Sequence, residues 1–225
     1  MKPYVVAITG ASGVIYGLRL LEVLAEQKVP VELVVSDTAK IVMREEMGIE
    51  YSPTSFPHVF SGNPFPGSPI VAFPAVGRDP AKGGGGDDKE KLMRIHGFHD
   101  FTASIASGSY PTEGMVIIPC SMGTLGAIAS GLSQNLIHRA ADCTIKEGRK
   151  LILVPRETPL SAIHLENMLK LSRLGVKIVP PMPAFYSGQQ KIADLVDFVV
   201  GKVLDQMGVP HMLYPRWTGP IANSL

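Results

Sequence analysis

Residues 4–13, YVVAITGASG, decide the fold of this chain. The first six, YVVAIT, are mostly apolar and β-branched, which is typical of a short buried strand. The next four, GASG, turn the chain. Residues 14–27 then carry apolar side chains at helical spacing, namely Leu18, Leu21, Leu24 and Ala25. A buried strand that leads directly into a helix predicts a β-α unit of a parallel sheet.

The same alternation of strand and helix runs along most of the chain. Further strands are predicted at residues 31–36, 115–119, 150–155 and 176–180. Further helices are predicted at residues 37–47, with Asp37 as the cap, and at residues 121–130, 135–148, 160–174 and 192–207. Right-handed crossovers join such strands in parallel, so we expect a three-layer α/β fold. Its sheet would be doubly wound and mostly parallel, of the flavodoxin-like or Rossmann-like kind.

One stretch interrupts this alternation. Residues 53–86 contain seven prolines and seven glycines, which is typical of a surface loop. We interpret it as an excursion without chemistry, in which residues 70–73 are the one candidate strand. The sequence therefore predicts a single domain over residues 1–208, with this loop inside it, and a tail over residues 209–225.

The composition narrows the classes of function. The 225 residues are 45% apolar and carry 21 basic against 20 acidic side chains, a net charge of +1. A charge this balanced favours neither nucleic acid nor a membrane surface as a partner. Cys120 and Cys143 have no metal-like spacing and suit a reducing compartment. We find no secretion signal and no apolar run of the ~20 residues that a membrane span needs, so we expect a cytoplasmic protein.

Ligand-type residues follow the predicted strands, at the edge where doubly wound sheets bind ligands. After the first strand, residues 10–13 offer close backbone approach, the Ser12 hydroxyl and a helix start that favours an anion. A plain strand-to-helix turn is the alternative there. Ser36, after the second strand, is equally a helix cap. Residues 119–124, PCSMGT, place hydroxyls and free N–H groups at a helix start where a phosphate or flavin ring could lie, although Ser121 could serve only as a cap.

Two charges directly follow the strand at residues 150–155. Arg156 and Glu157 would be costly there unless they are solvated or paired with a ligand. The arginine fork can hold a phosphate or a flavin carbonyl, and the glutamate can transfer protons.

A pair of cations shares one helix face. Arg139 and Lys146 are seven residues apart, with Asp142 between them. They could receive a phosphate leaving group, or they could form with Asp142 a surface ion-pair ladder. The histidines form no H-x-x-x-H or Cys/His cluster, and no G-x-S-x-G motif occurs, so we expect neither a metal site nor a hydrolase triad.

Together these segments resemble the UbiX-type flavin prenyltransferases. The matching segments are GASG (10–13), YGLR (16–19), SGS (107–109), PCSMGTL (119–125), NLIHRAAD (135–142), PRETP (155–159), HLENM (164–168) and PPMPAFY (180–186). Their order and spacing make the match, which covers the chain except for about residues 52–97 and the last few residues.

The resemblance implies both an activity and an assembly. The family joins FMN to dimethylallyl phosphate without a metal, through bonds at flavin N5 and C6, and the prenylated FMN serves a separate UbiD-type decarboxylase. Its members are usually homododecamers with active sites between subunits.

The resemblance also implies the roles of particular residues. Those similar to the FMN contacts are Gly10, Ala11, Ser12, Ser36, Ser121, Met122, Gly123, Thr124 and Arg156. Those similar to the groups around dimethylallyl phosphate are Arg139, Lys146, Tyr186 and Lys202. The catalytic set comprises Ser12, Arg139 and Lys146, the acids Glu46 and Glu157, and the tail aromatic Trp217.

The chain departs from the family pattern in two places. Position 202 is usually arginine and is lysine here, which keeps the charge but loses the bidentate fork. The loop at residues 53–86 is longer than the resemblance leads us to expect.

Three other functions compete with this one. An FMN-dependent cysteine decarboxylase shares the fold, but this chain has PPMP at residues 180–183 in place of the asparagine motif of those enzymes. A non-catalytic flavin carrier would bind FMN and leave it unchanged when dimethylallyl phosphate is added. A direct aromatic-acid decarboxylase would need a group that activates a carboxylate, and the sequence offers none without a modified cofactor. The sequence does not distinguish dimethylallyl phosphate from the diphosphate as donor.

Overall fold

The computed structural model describes residues 1–52, 92–186 and 189–217. The strands are β1 (Tyr4–Ile8), β2 (Val31–Val35), β3 (Met93–His96), β4 (Gly114–Cys120), β5 (Lys150–Pro155) and β6 (Lys177–Ile178). They form one sheet in the order β3-β2-β1-β4-β5-β6, and all of these described strands are parallel. The predicted α/β class is confirmed, with a sheet that is wholly parallel among the described strands.

Helices cover both faces of this sheet. They are α1 (Val14–Glu26), α2 (Asp37–Met47), α3 (Met122–Ala129), α4 (Leu136–Lys146), α5 (Ala162–Arg173) and α6 (Ile192–Met207), with a short 3-10 turn at Ser104–Ala106. Successive side chains of a strand point to opposite faces. Val6 and Ile8 of β1 therefore pack against α1, α2 and α6, whereas Val5 and Ala7 pack on the side of α3, α4 and α5.

The strand order reverses between β1 and β4. From β1 the chain moves outward to β2 and β3, and it then returns to place β4 on the other side of β1. The crossover helices consequently lie on opposite faces on either side of this point. In doubly wound sheets such a reversal opens a crevice at the carboxyl ends of the two strands, which is the usual ligand site of the fold.

Two elements differ from the sequence prediction. Strand β3 was not predicted, because Arg94 and His96 interrupt its apolar character and it lies at the edge of the sheet. Strand β6 is shorter than the predicted residues 176–180, since only Lys177 and Ile178 pair with β5.

The cap of α2 is a further correction. Ser36, and not Asp37, is the N-cap, because its hydroxyl oxygen accepts the N–H of Ala39 at 3.1 Å. Asp37 is the first helical residue, where its negative charge still suits the helix start.

The predicted loop at residues 53–86, with its candidate strand at 70–73, lies outside the described residues. The described part of the tail packs on the domain, since Val209 and Tyr214 are buried. Among the described residues, no helix combines the length and the apolar character needed to cross a bilayer.

The contact between α1 and β4 yields a stability prediction. A Cβ at Gly17 would lie 2.5 Å from the carbonyl oxygen of Ile118, so the helix backbone packs directly on the strand. We expect Gly17→Ala to destabilise the protein by about 1–3 kcal/mol despite its better helix propensity, because the added methyl overpacks this contact. Gly126→Ala in α3 is the matched control, since its nearest atom would be 3.5 Å away. Denaturant midpoints at equal protein concentration make the comparison, and equal loss in both variants would contradict it.

Candidate functional site

The floor of the crevice is built around Thr9, the residue that follows β1. Its hydroxyl donates to the carbonyl of Pro119 at 2.9 Å and accepts the N–H of Ser121 at 2.8 Å. The N–H of Thr9 also donates to the Pro119 carbonyl, at 3.2 Å. Because Thr9 is buried, these bonds hold the ends of β1 and β4 together without competition from water.

The loop after β1 approaches α2 closely. A Cβ at Gly10 would overlap the side chain of Thr38 in the first turn of α2, so this position requires glycine. Gly13, with φ of 96°, is the N-cap of α1 and has no side chain to cap it. The carboxylate of Glu46 serves instead and accepts the N–H of Gly13 at 2.9 Å and that of Val14 at 3.4 Å. The start of α1 thus already holds a negative charge.

The start of α3 has more room. The Ser121 hydroxyl accepts the N–H of Thr124 at 3.3 Å and donates to its hydroxyl at 3.0 Å, so Ser121 does cap the helix. A Cβ at Gly123 would meet nothing within 4 Å. The N–H groups of Met122 and Gly123 form no hydrogen bond within the described chain. These two N–H groups and the hydroxyls can therefore receive an anion.

Arg156 joins the end of β5 to the loop after β1 and to the end of β4. Its Nε donates to the carbonyl of Ser12 at 3.1 Å, and its backbone N–H donates to the carbonyl of Cys120 at 3.2 Å. Tyr16 lies nearby: burial raises the pKa of its hydroxyl, and the charge of Arg156 partly offsets that rise. The exposed Glu157 accepts the N–H of Thr158 at 2.9 Å through one carboxylate oxygen.

The sequence-predicted flavin residues thus meet at one edge. The structure gathers the residues of the loop after β1, Ser36, the start of α3 and Arg156 at the carboxyl ends of four adjacent strands. Glu46 and Glu157 border the same edge. Ser36 is itself buried, and its N–H donates to the carbonyl of Ile8 at 3.0 Å.

The predicted cations of α4 make other contacts in the single chain. Arg139 donates to the carbonyl of Ala106 at 2.9 Å and pairs with Asp142 at 2.8 Å. Lys146 pairs with Glu147 at 3.4 Å, so the ion-pair ladder does not extend from Asp142 to Lys146. Lys146 ends α4 just before β5 begins, which places it toward the amino ends of the strands.

The remaining predicted groups lie on the opposite face of the sheet. Tyr186 packs against Phe198 of α6, with ring centroids 6.0 Å apart, and Trp217 lies 6.0 Å from Tyr186. Lys202 is on α6 itself and pairs with Asp205 at 3.7 Å. A single chain therefore does not bring Arg139 and Lys146 together with Tyr186 and Lys202, because the sheet separates α4 from α6.

Sequence reasoning missed several residues of the site. Thr9 was assigned only to its strand, and Tyr16 and Thr38 were given no role. The signal for Thr9 was its position as a hydroxyl immediately before Gly10, at the carboxyl end of a buried strand. No comparable signal existed for Thr38, since its contact with Gly10 depends on how α2 packs.

Neither cysteine is poised for reaction. Both cysteines are buried, and burial raises the pKa of the Cys120 and Cys143 thiols, so neither is a ready nucleophile. No group of three or more histidine, cysteine or acidic side chains in the described part of the chain is arranged to hold a metal ion.

Comparison with known proteins places the chain among flavin-binding proteins. Residues 1–204 match the family model described as Flavoprotein. The flavin prenyltransferase UbiX of Halalkalibacterium halodurans is 47% identical over 214 residues, which cover 95% of this chain and 92% of that protein.

Two solved structures share both fold and sequence. A dodecameric FMN-dependent UbiX-like decarboxylase from Escherichia coli O157:H7 is 42% identical with a TM-score of 0.77, over 96% of this chain and all of that one (100%). AnUbiX (PadA1), in complex with FMN and dimethylallyl pyrophosphate, is 36% identical with a TM-score of 0.78, over 98% of this chain and 99% of that one.

The role of Thr9 can be tested by removing its hydroxyl group. We expect Thr9→Val to lower the free energy of unfolding by about 1–3 kcal/mol, because the partly buried N–H of Ser121 would lose its acceptor. Thr9→Ser keeps the hydroxyl and should retain most of the stability. The measurement is denaturant unfolding of the three proteins at equal concentration. If the valine variant is as stable as the serine variant, the link between β1 and β4 does not depend on this hydroxyl.

Proposed function

Because the chain belongs to the flavoprotein family and, within it, to the UbiX-type flavin prenyltransferases, we propose that it bonds a dimethylallyl group to N5 and C6 of reduced FMN. It is a prenyltransferase, and FMN is its flavin. We propose dimethylallyl phosphate as the donor and a separate UbiD-type decarboxylase as the user of the prenylated FMN. The observation that carries the proposal is the similarity, 36% identity over 98% of this chain, to a protein solved with FMN and dimethylallyl pyrophosphate.

The crevice at the strand ends suits FMN. A Cβ at Gly123 would meet nothing within 4 Å, so a ligand can approach the backbone closely there, and the hydroxyls and Arg156 can bond phosphate and flavin oxygens. We place the FMN phosphate at the start of α3 and not at that of α1. Glu46 already occupies the N–H groups of Gly13 and Val14, and its charge would repel a second anion.

The chemistry requires charge of both signs. Reduced FMN supplies an electron-rich ring that accepts the allyl carbon. Loss of phosphate from the donor leaves negative charge on the departing group, which cations stabilise. Positive charge develops on the allyl carbon, and Trp217 can stabilise it through its ring face. The bond at C6 forms at the expense of the allyl double bond, which takes up one proton while C6 loses another. We assign the acidic Glu157 to the proton that leaves C6, because its second carboxylate oxygen makes no hydrogen bond within the described chain.

The donor phosphate site requires a second copy of the chain. Arg139 and Lys146 lie on the face opposite Tyr186 and Lys202, so the four groups can converge only if neighbouring copies contribute different members. The exposed face of α5 supports such assembly, since in this helix only Leu171 is buried. Its exposed apolar side chains include Ile163, Leu165 and Leu169. We therefore propose a homo-oligomer, and the dodecamer of the E. coli relative is its expected form.

The competing functions remain separable by experiment. A cysteine decarboxylase and a flavin carrier would both leave FMN unmodified, and a direct aromatic-acid decarboxylase would release carbon dioxide without any prenyl donor. The cytoplasmic location stays a prediction.

The direct test is incubation of the protein with reduced FMN and either dimethylallyl phosphate or the diphosphate, followed by mass analysis of the flavin. We expect the flavin to gain one dimethylallyl group with the phosphate donor. A flavin of unchanged mass with both donors would remove the proposed activity.

Glu157 gives a sharper test of mechanism. We expect Glu157→Gln to slow ring closure at C6 by about tenfold to a hundredfold while FMN affinity changes little, because the amide cannot accept the proton. Single-turnover experiments with flavin spectra measure the closing step. The control is Thr158→Val, which removes a neighbouring exposed hydroxyl. If Glu157→Gln closes the ring at the wild-type rate, Glu157 has no part in the mechanism.

Shared active sites can be tested by complementation. One variant carries Arg139→Ala and Lys146→Ala, and the other carries Tyr186→Phe and Lys202→Ala. Each should lose most donor-dependent turnover alone, because charge-assisted hydrogen bonds to the phosphate are lost. Mixed oligomers formed by co-expression should recover up to about a quarter of wild-type activity, since about one site in four would draw both sets from unmutated copies.

Co-expression of either variant with itself is the control for this experiment. Inactive mixed oligomers of wild-type size would contradict a donor site that is shared between copies.

A further inference from the structure

One carboxylate holds the C-terminal tail against α6. Asp205 lies in the last turn of α6, with 20% of its side chain exposed. Its Oδ2 accepts hydrogen bonds from the Tyr214 hydroxyl at 2.6 Å and from Arg216 Nη1 at 2.8 Å, and its Oδ1 lies 3.2 Å from His211 Nε2. Three residues of the tail thus converge on a single side chain.

The packing around Asp205 is close. A Cβ at Gly201 would lie 2.5 Å from the Tyr214 ring and 2.7 Å from the His211 ring, so both rings sit directly on the backbone of α6. The Tyr214 ring is also 4.9 Å from that of Phe198, and the Arg216 guanidinium lies 5.1 Å above it. The tail is therefore held by apolar contact as well as by charge.

The charge state of this cluster is well defined. Burial alone would raise the pKa of Asp205, but hydrogen bonds from Arg216, Tyr214 and His211 outweigh it and hold the pKa of that carboxyl well below its usual range. Burial, together with the bond to Asp205, raises the pKa of Tyr214 to about 12. At neutral pH the carboxylate is thus charged and the phenol keeps the proton that it donates.

The cluster is connected to three groups of the proposed donor site. Arg216 directly precedes Trp217, whose ring lies 6.0 Å from that of Tyr186. Tyr186 in turn stands 6.0 Å from Phe198, the same ring that packs on Tyr214. On the other side, Lys202 Nζ lies 3.7 Å from Asp205 Oδ2, one helical turn away.

We propose that Asp205 is a positioning residue for the allyl donor: it anchors the tail so that Trp217 stands against Tyr186, and it orients Lys202. Asp205 acts only through these groups. The inference rests on the proposed function, which assigns Trp217, Tyr186 and Lys202 to the donor.

Tryptophan fluorescence tests the anchoring directly, since Trp217 is the single tryptophan of the chain. In the full-length protein, the Trp217 side chain is already 68% exposed, so we expect acrylamide quenching to rise by about 1.3-fold to 1.5-fold in Asp205→Asn and in Arg216→Gln, because the indole leaves Tyr186 and becomes fully exposed. Arg216 is largely exposed, so its variant should fold even if the Asp205 variant does not. Asp197→Asn is the matched control, because Asp197 also lies on α6 but pairs at 2.7 Å with Arg19 of α1, and it has no hydrogen bond or ion pair with the described part of the tail.

Kinetics test the link to the donor. We expect the KM for dimethylallyl phosphate to rise about tenfold in Asp205→Asn and Arg216→Gln, while FMN affinity stays within about twofold of wild type. Asp205→Glu keeps the charge and should recover part of the loss. Asp197→Asn should leave both quantities near wild type.

Unchanged quenching in both variants would overturn the proposal, because the tail would then be held without Asp205. Increased quenching with an unchanged donor KM would also overturn it, because the tail would not serve the donor. If the wild-type protein transfers no allyl group, the proposed function has failed and the donor role fails with it. The quenching result still shows separately whether Asp205 holds the tail.

Discussion

The hydroxyl of Thr9 ties the ends of the two central strands together, and the flavin crevice depends on that tie. Parallel strands that send their helices to opposite faces leave a gap between their carboxyl ends. Thr9 closes the floor of this gap, because one buried side chain satisfies both the Pro119 carbonyl and the Ser121 N–H. Arg156 then joins the end of β5 to the loop at Ser12. Three strand ends therefore form one rigid edge on which a flat ligand can be held.

Two helices, α1 and α3, begin at this edge, and the charge at their amino ends differs. The start of α1 is neutralised by the carboxylate of Glu46, which comes from α2, whereas the start of α3 is capped only by the Ser121 hydroxyl. Because like charges repel, this difference favours the start of α3 over that of α1 as the place for an anion. Glu46 consequently has an electrostatic effect on ligand placement even if it takes no part in the reaction.

The residues proposed to bind the flavin and those proposed to bind the donor phosphate lie on different parts of the molecule. Hydroxyls and N–H groups gather at the carboxyl edge, while Arg139 and Lys202 lie on helices that the sheet keeps apart. If the proposed donor residues act together, they must come from more than one copy, which makes assembly a condition of the proposed chemistry. The Asp205 cluster adds a second condition, since it binds the tail that carries Trp217. Both conditions could make the donor half of the site sensitive to changes far from the flavin.

The sequence by itself determined the α/β class and most element positions, because a buried strand such as β1 is a continuous apolar run and a helix such as α6 repeats its apolar residues every turn. It also indicated which strand ends carry ligand-type residues. It did not reveal β3, because Arg94 and His96 break the apolar pattern of a buried strand. The strand forms through its backbone pairing with β2 at the edge of the sheet. Only the tertiary structure decided that Thr9 bonds Ser121 across 112 residues, and that α4 and α6 lie on opposite faces. Contacts between residues so distant along the chain leave no periodic pattern in the sequence, because they depend on which strands lie side by side in the sheet.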